Sequence, residues 1–145
     1  MDTLTINKAF KDYPSYIGTF PLDHIPKVYK RPCAMIVNTD ACYKPGTHWV
    51  AIYLDRGGIG EYFDSFGLPP LHNEIISSLR ENCPLGYSHN PLTLQSVTSD
   101  TCGNYCIAYL KLRLKGYRKE IILNLFCQHP LHNDTRVASW NVLDL

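Results

Sequence analysis

Four residues in this chain have types and positions that fit one piece of chemistry: His48, Asp64, Gln95 and Cys102, in that order. His48 opens one apolar run, HWVAIYL, and Asp64 closes the next, IGEYFD. Cys102 begins CGNYCIAYLKLRLK, a strongly apolar stretch of helical character that Gly116 ends, with Ser99, Asp100 and Thr101 ahead of it as capping residues. A cysteine at a helix N-terminus sits in roughly half a positive charge from unpaired amides, which stabilises the thiolate and lowers the thiol pKa. Beside an imidazole it becomes an activated nucleophile, with the imidazole as base and later acid and a carboxylate fixing its tautomer. Gln95 offers a side-chain amide that would join the Cys102 backbone amide as donors to a developing oxyanion, and Gly103 lets the backbone approach a bound carbonyl. Taken singly, each residue has a plainer reading: His48 as a rim residue, FDSFG as a strand end with an Asx-type turn, Cys102 as an inert helix thiol. The ordered set, each member at an element end, is what points to a shared cleft.

The elements that must position these residues follow from periodicity. Residues 48–54 and 59–64 read as strands joined by Asp55, Arg56, Gly57 and Gly58, a hairpin turn. A three-residue loop, Asp55-Arg56-Gly57, pairs Leu54 with Gly58 and sets His48 directly opposite Asp64 on one face; a two-residue loop would separate them. Residues 33–38 read as a buried strand, and 92–96 as a fourth. Helices are expected over about 3–11, from Pro69-Pro70 through Asn82 with Ile75, Ile76 and Leu79 inward, over 102–115, and over about 118–127. Residues 18–32 read as irregular chain, and the tail around Trp140 as loose. Strands and helices of this mixture predict an α+β fold in one domain spanning 1–145.

Composition bounds the rest. The 145 residues are 45% hydrophobic, 12% aromatic and 19% charged, enough apolar surface for a core, with net charge +1. The start, MDTLTINKAF, lacks a signal peptide's apolar centre, and no apolar run is long enough to cross a bilayer, so the expectation is an unexported protein with no membrane contact. In that setting the six cysteines are expected to be free thiols. Zinc would need tightly repeated ligands; Cys102/Cys106 and Cys127/His129/His132 are the nearest sets, and no metal or small-molecule cofactor is expected. The sequon at Asn133 reads as a chance match. The near-neutral total conceals Lys111, Arg113, Lys115, Arg118 and Lys119, five cations in nine residues. That stripe reads either as a non-specific DNA contact or as solvated cations complementing a helix C-terminus.

The blocks GTHW at 46–49, YFDSFG at 62–67 and QSVTSDTCGNYC at 95–106, with YIGTF at 16–20 and CAMIVNT at 33–39, resemble the adenain-like cysteine proteases of adenoviruses. Their clan also holds the SUMO-specific and other ubiquitin-like-protein proteases. The resemblance covers roughly residues 13–112; the chain is shorter than the adenovirus enzymes, and its acid is Asp rather than their frequent Glu. It implies a papain-like-clan core: a small mixed or antiparallel sheet flanked by helices, with the nucleophile at a helix N-terminus. It implies His48 as general base, Asp64 as orienting acid, Cys102 as nucleophile and Gln95 as oxyanion donor, with Trp49 beside the imidazole and Gly46, Trp49 and Gly103 along the substrate. The implied activity is an endopeptidase cutting capsid or core precursors after small residues such as Gly-Gly, in a DNA virus or virus-like transposon. The corresponding location is the host nucleus and virion, or otherwise an intracellular one. Stimulation by DNA and by a viral peptide disulfide-linked at Cys83 belongs to the same resemblance; the chain is expected to be a monomer. The alternatives are a deconjugating protease for ubiquitin-like proteins and an inactive interaction module that kept the fold.

Overall fold

The computed structural model describes residues 1–44 and 46–145; the Pro45-Gly46 pair ahead of His48 reads in the sequence as a turn, and its Pro45 lies outside the described residues. The chain runs α1 (Thr3–Ala9), β1 (Tyr16–Phe20), a 3-10 turn (Leu22–His24), β2 (Cys33–Asn38), β3 (Trp49–Leu54), β4 (Gly60–Phe63), α2 (Asn73–Asn82), β5 (Tyr87–His89), α3 (Cys102–Leu114), α4 (Lys119–Leu123) and α5 (Pro130–Ser139). One sheet has the order β1-β2-β3-β4-β5. β2, β3 and β4 are antiparallel neighbours, and the edge strands β1 and β5 are parallel to β2 and β4. This is the α+β architecture expected, a mixed sheet between helices with Cys102 at a helix start.

Alternation along β2 and β3 divides the core. Ala34, Ile36, Ala51, Tyr53 and Phe63 face α3 with Ile107 and Leu110, while Met35, Val37, Val50, Ile52 and Tyr62 face α2 with Ile75 and Leu79. β2 is buried at every position because it lies inside the sheet and both its faces are covered. Burying one side chain such as Ile36 or Ile107 contributes about 1.5–3 kcal/mol, so the layer that faces α3 holds that helix in place.

The hairpin differs from expectation in a way that preserves the site. Leu54 pairs with Gly60, not Gly58, and Ala51 with Phe63. The loop is longer because the Asp55 carboxylate accepts the Ile59 N–H (2.9 Å) and Asp55 N–H donates to the Ile59 carbonyl (2.9 Å), with Gly58 at φ +94°. The slip is two residues, an even number, so His48 and Asp64 keep a common face as diagonal neighbours.

Other elements moved further. The first residues of the segment read as irregular belong to β1. Residues 92–96 are not a strand: the Leu94 and Gln95 amides both donate to the Ser65 carbonyl (2.8 and 3.0 Å), which folds them into a turn, and the additional strand is β5. α2 starts at Asn73, after Pro69-Pro70 and two further extended residues. α4 stops at Leu123, and the supposed loose tail contains α5. That helix turns Asn133 and Asp134 inward along with Val137, so its buried stripe is largely polar and leaves no apolar period. Asn133 is fully buried, which makes the sequon inaccessible in the folded chain.

One buried ion pair ties α3 to the sheet. Arg113 makes two parallel bonds to Glu61 (Nε–Oε1 and Nη2–Oε2, both 2.9 Å), Tyr109 donates to the same carboxylate, and the guanidinium lies 4.3 Å from the Tyr53 ring centroid. Removing one partner strands the other charge, so Glu61→Ala is expected to lose about 3–5 kcal/mol of stability, read as a lower urea midpoint at unchanged slope.

Candidate active site

His48 immediately precedes β3, and Asp64 immediately follows β4. His48 Nε2 and Asp64 Oδ1 are 2.8 Å apart, with both side chains largely shielded from solvent. The carboxylate thereby holds a proton on Nε2 and leaves Nδ1 as the nitrogen that exchanges a proton with a thiol. Asp64 is itself fixed: Oδ1 also accepts the Phe66 N–H (2.9 Å), and the Gly67 N–H closes a turn on the Asp64 carbonyl (2.8 Å). Gly67 has φ +75°, and a Cβ there would lie 2.6 Å from the Leu92 backbone, which explains why the FDSFG turn ends in glycine. Phe66 stacks on the imidazole at 4.9 Å, a second restraint on the ring. Buried Asn90 clasps Asp64 from behind, accepting its N–H (2.9 Å) and donating to its carbonyl (2.6 Å).

Cys102 is the first residue of α3 and only 8% exposed. None of the three expected capping side chains caps the helix. Thr101 is the N-cap without a side-chain bond to it, its hydroxyl turned to Ser99 and Asp134 instead. Burial pushes the Cys102 thiol up, but His48 and the backbone amides of Trp49 and Gly103 outweigh it, and the pKa falls below the ordinary value. For His48, burial works downward, while Asp64 and Cys102 raise its pKa to about 9. The favoured state is a thiolate beside an imidazolium. Thiolate-dependent alkylation should therefore persist below the pH at which an ordinary cysteine protonates. Activity should fall on the acid side as Cys102 takes up a proton and on the alkaline side, around pH 9, as His48 loses one; a pH–rate profile checks both limbs.

Gln95 is 1% exposed and immobilised at both ends. Its Oε1 accepts from Ser65 Oγ (2.5 Å), and its Nε2 donates to the Ser99 carbonyl (2.9 Å) and meets the Ser99 hydroxyl (3.0 Å). His48, Gln95, Cys102 and Trp49 line one cleft of about 260 Å³ together with Met1, Gly46 and Phe66. The structure thus brings together all four residues singled out from the sequence, and Gly46 and Trp49 with them. Gly103 adjoins the cleft, but the space over its Cα is taken: a Cβ would meet Met1 Sδ at 3.1 Å, and the Trp49 indole N–H holds the Met1 carbonyl (3.1 Å).

The cysteines are all free. Cys106, one turn below Cys102, is fully buried and donates to the Trp49 carbonyl (3.3 Å), so it is a core thiol steadying the strand that follows His48. Cys33 is also a core thiol, whereas Cys127 is half-exposed beside Asn133 rather than in the core. Cys83 is buried with Ile75 and Leu79 under the sheet, so it presents no accessible sulfur for a partner disulfide. The basic stripe is also broken. Lys111 is 1% exposed and donates to the Val142 and Leu143 carbonyls (both 2.7 Å), Arg113 is spent on Glu61, and Lys119 donates to Ser88 Oγ (2.7 Å). Lys115 and Arg118 remain exposed.

Sequence reasoning missed the supports. Asn90, Ser65 and Phe66 hold the acid, the glutamine and the imidazole. Buried Asp134 accepts from Tyr105 (2.8 Å), from Ser96 N–H (3.2 Å) and from Thr101 (3.3 Å), bracing the 94–101 segment from α5. FDSFG carried a turn signal that contains two of these; Asn90 and Asp134 have none, because isolated buried polar residues follow no period.

No protein-family model matches the chain. A cysteine protease of African swine fever virus, from a Malawi tick isolate, is 35% identical over 101 residues, 61% of this chain and 37% of that protein. Its counterpart from a Kenyan pig isolate, named a SUMO-1 cysteine protease, is 34% identical over the same length and coverage. The likeness is to viral cysteine proteases. The chain spans little more than a third of the length of these curated relatives, 37%. The crystal structure of the selenomethionine form of the African swine fever virus protease is 26% identical, covering 77% of this chain and 46% of its own, at a TM-score of 0.48. The central domain of an uncharacterized Legionella pneumophila protein shares the fold at TM-score 0.53 over 96% of both chains, with 12% identity.

Proposed function

We propose that this chain is a cysteine endopeptidase in which Cys102 attacks a peptide carbonyl. The observation that carries the reading is that His48, hydrogen-bonded to Asp64, lines one cleft with Cys102 at the N-terminus of α3. Attack by the thiolate forms a C–S bond and an oxyanion. The Cys102 amide and Gln95 Nε2 receive that oxyanion, the latter once the Ser99 side chain swings its Oγ away and frees one N–H. His48 gives its proton to the leaving amine, which departs as the thioester forms, and then takes one from the water that hydrolyses it. Gln95→Ala is expected to cut kcat about a hundredfold with little change in KM, since the donor acts in the transition state; steady-state kinetics on a peptide substrate separates the two.

Met1 and Trp49 crowd the cleft over Gly103, which favours small residues such as a Gly-Gly pair at the scissile bond. Structural precursors of a DNA virus or virus-like element, met in the host nucleus and virion, are the substrates this reading assigns. The test is incubation of wild type and Cys102→Ala with such precursors and mass mapping of the products. Cleavage after small residues by wild type alone supports the reading, while an inert wild type favours an interaction module. The second reading, deconjugation of ubiquitin-like proteins, draws support from relatives named SUMO-1 cysteine proteases. It gains if a ubiquitin-like C-terminal electrophile reacts faster than a short Gly-Gly peptide. DNA stimulation now rests on Lys115 and Arg118, with Lys119 partly engaged, and fails if added DNA at low salt leaves the rate unchanged.

A further inference from the structure

Outside the cleft, the 3-10 turn and the segment after β2 bring together three side chains that sequence spacing did not connect. Cys42 Sγ lies 3.2 Å from Asp23 Oδ2, and His24 Nδ1 lies 3.3 Å from Asp23 Oδ1. One ligand atom from each residue lies within 4.8 Å of the other two, and all three residues are exposed. The arrangement is anchored by main chain: Leu22 N–H donates to the Asp40 carbonyl (2.9 Å), and Cys42 N–H to Asp23 Oδ1 (2.8 Å). The two segments are therefore held against each other without any ion.

Zinc binds sulfur, imidazole nitrogen and carboxylate oxygen at about 2.0–2.3 Å in a tetrahedron, which separates neighbouring donors by roughly 3.3–3.7 Å. The Sγ–Oδ2 and Nδ1–Oδ1 separations run to different oxygens of the Asp23 carboxylate, but both are close to that edge length and the three donors fall within 4.8 Å of one another, so rotation of exposed side chains onto one oxygen admits the ion. A mixed sulfur, nitrogen and oxygen set suits zinc and disfavours the hard cations calcium and magnesium, which take oxygen ligands. We propose that Asp23, His24 and Cys42 form a surface zinc site, with water as the fourth ligand. On binding, the Cys42 S–H bond breaks, its proton passes to solvent, and the sulfur's electron pair forms the bond to zinc, with no change of oxidation state.

The test uses the full chain carrying Cys102→Ala, so that Cys102 supplies no competing thiolate, and it reads binding rather than turnover. Titration with zinc chloride is expected to show one equivalent bound, and cobalt substitution to give a thiolate-to-metal charge-transfer band. Adding Cys42→Ser should abolish the band, and Cys42→Ser or His24→Ala should each weaken zinc binding at least about tenfold, with circular dichroism unchanged because both side chains are exposed. Absence of a bound equivalent, affinity unaffected by Cys42→Ser, or zinc lost instead on mutating Cys127, His129 or His132 would each overturn the proposal.

Discussion

Cys102→Ala is expected to reduce peptide cleavage about a millionfold, to the level of the peptide alone with protein present, while the urea unfolding midpoint stays close to that of wild type. The size follows from the role: without the sulfur no thioester forms, and the oxyanion donors and His48 have no nucleophile to serve. The intact fold follows from placement. Cys102 occupies the first position of α3, above the packed layer of Cys106, Ile107 and Leu110, and a Cys-to-Ala change there removes one sulfur at a cleft wall. Background-corrected rates together with the unfolding curve separate loss of chemistry from loss of structure. A variant that cleaves as well as wild type would end the catalytic assignment.

His48→Ala is expected to have nearly the same effect on turnover, about 10⁵–10⁶-fold, because base, acid and thiolate partner are lost together. It carries a second signature. His48 and the amides of Trp49 and Gly103 hold the Cys102 thiol low against burial; with the imidazole gone, burial gains and the thiol pKa rises. Alkylation of Cys102 at neutral pH should then slow, and its pH dependence should shift toward alkaline values, which a rate-versus-pH series with a small alkylating reagent measures directly. Asp64→Asn should fall short of this, at about 10⁴-fold, since the carboxylate orients the ring and sets its tautomer without bonding to substrate. An order of effects with Asp64 above His48 would contradict the roles assigned here.

The sequence disclosed the site more fully than the frame around it, for a physical reason. His48, Asp64 and Cys102 sit at ends of strongly patterned elements, so locating β3, β4 and α3 located them. The common face of His48 and Asp64 survived a wrong loop length because side-chain direction in a strand depends on parity, and the real slip was even. Polar supports were illegible: Asn90, Asp134 and the buried stripe of α5 are held by specific hydrogen bonds across the fold rather than by periodic burial. The same blindness made Lys111, Arg113 and Cys83 look available. Charge and thiol chemistry can be read along a chain, but whether Arg113 meets Glu61 or solvent is decided by strands distant in sequence.

The central claim is that Cys102 is the nucleophilic thiol and that His48 activates it. One measurement addresses it: brief treatment of the native chain at neutral pH, below the ordinary thiol range, with limiting iodoacetamide, followed by mass mapping of the modified cysteine, in wild type and His48→Ala. Carbamidomethylation is expected to concentrate on Cys102 in wild type and to be largely lost in His48→Ala. Exposed Cys42 should stay unmodified at that pH, because the Asp23 carboxylate holds its thiol pKa up. Modification led by Cys42 or Cys127, or Cys102 labelling indifferent to His48, would contradict it.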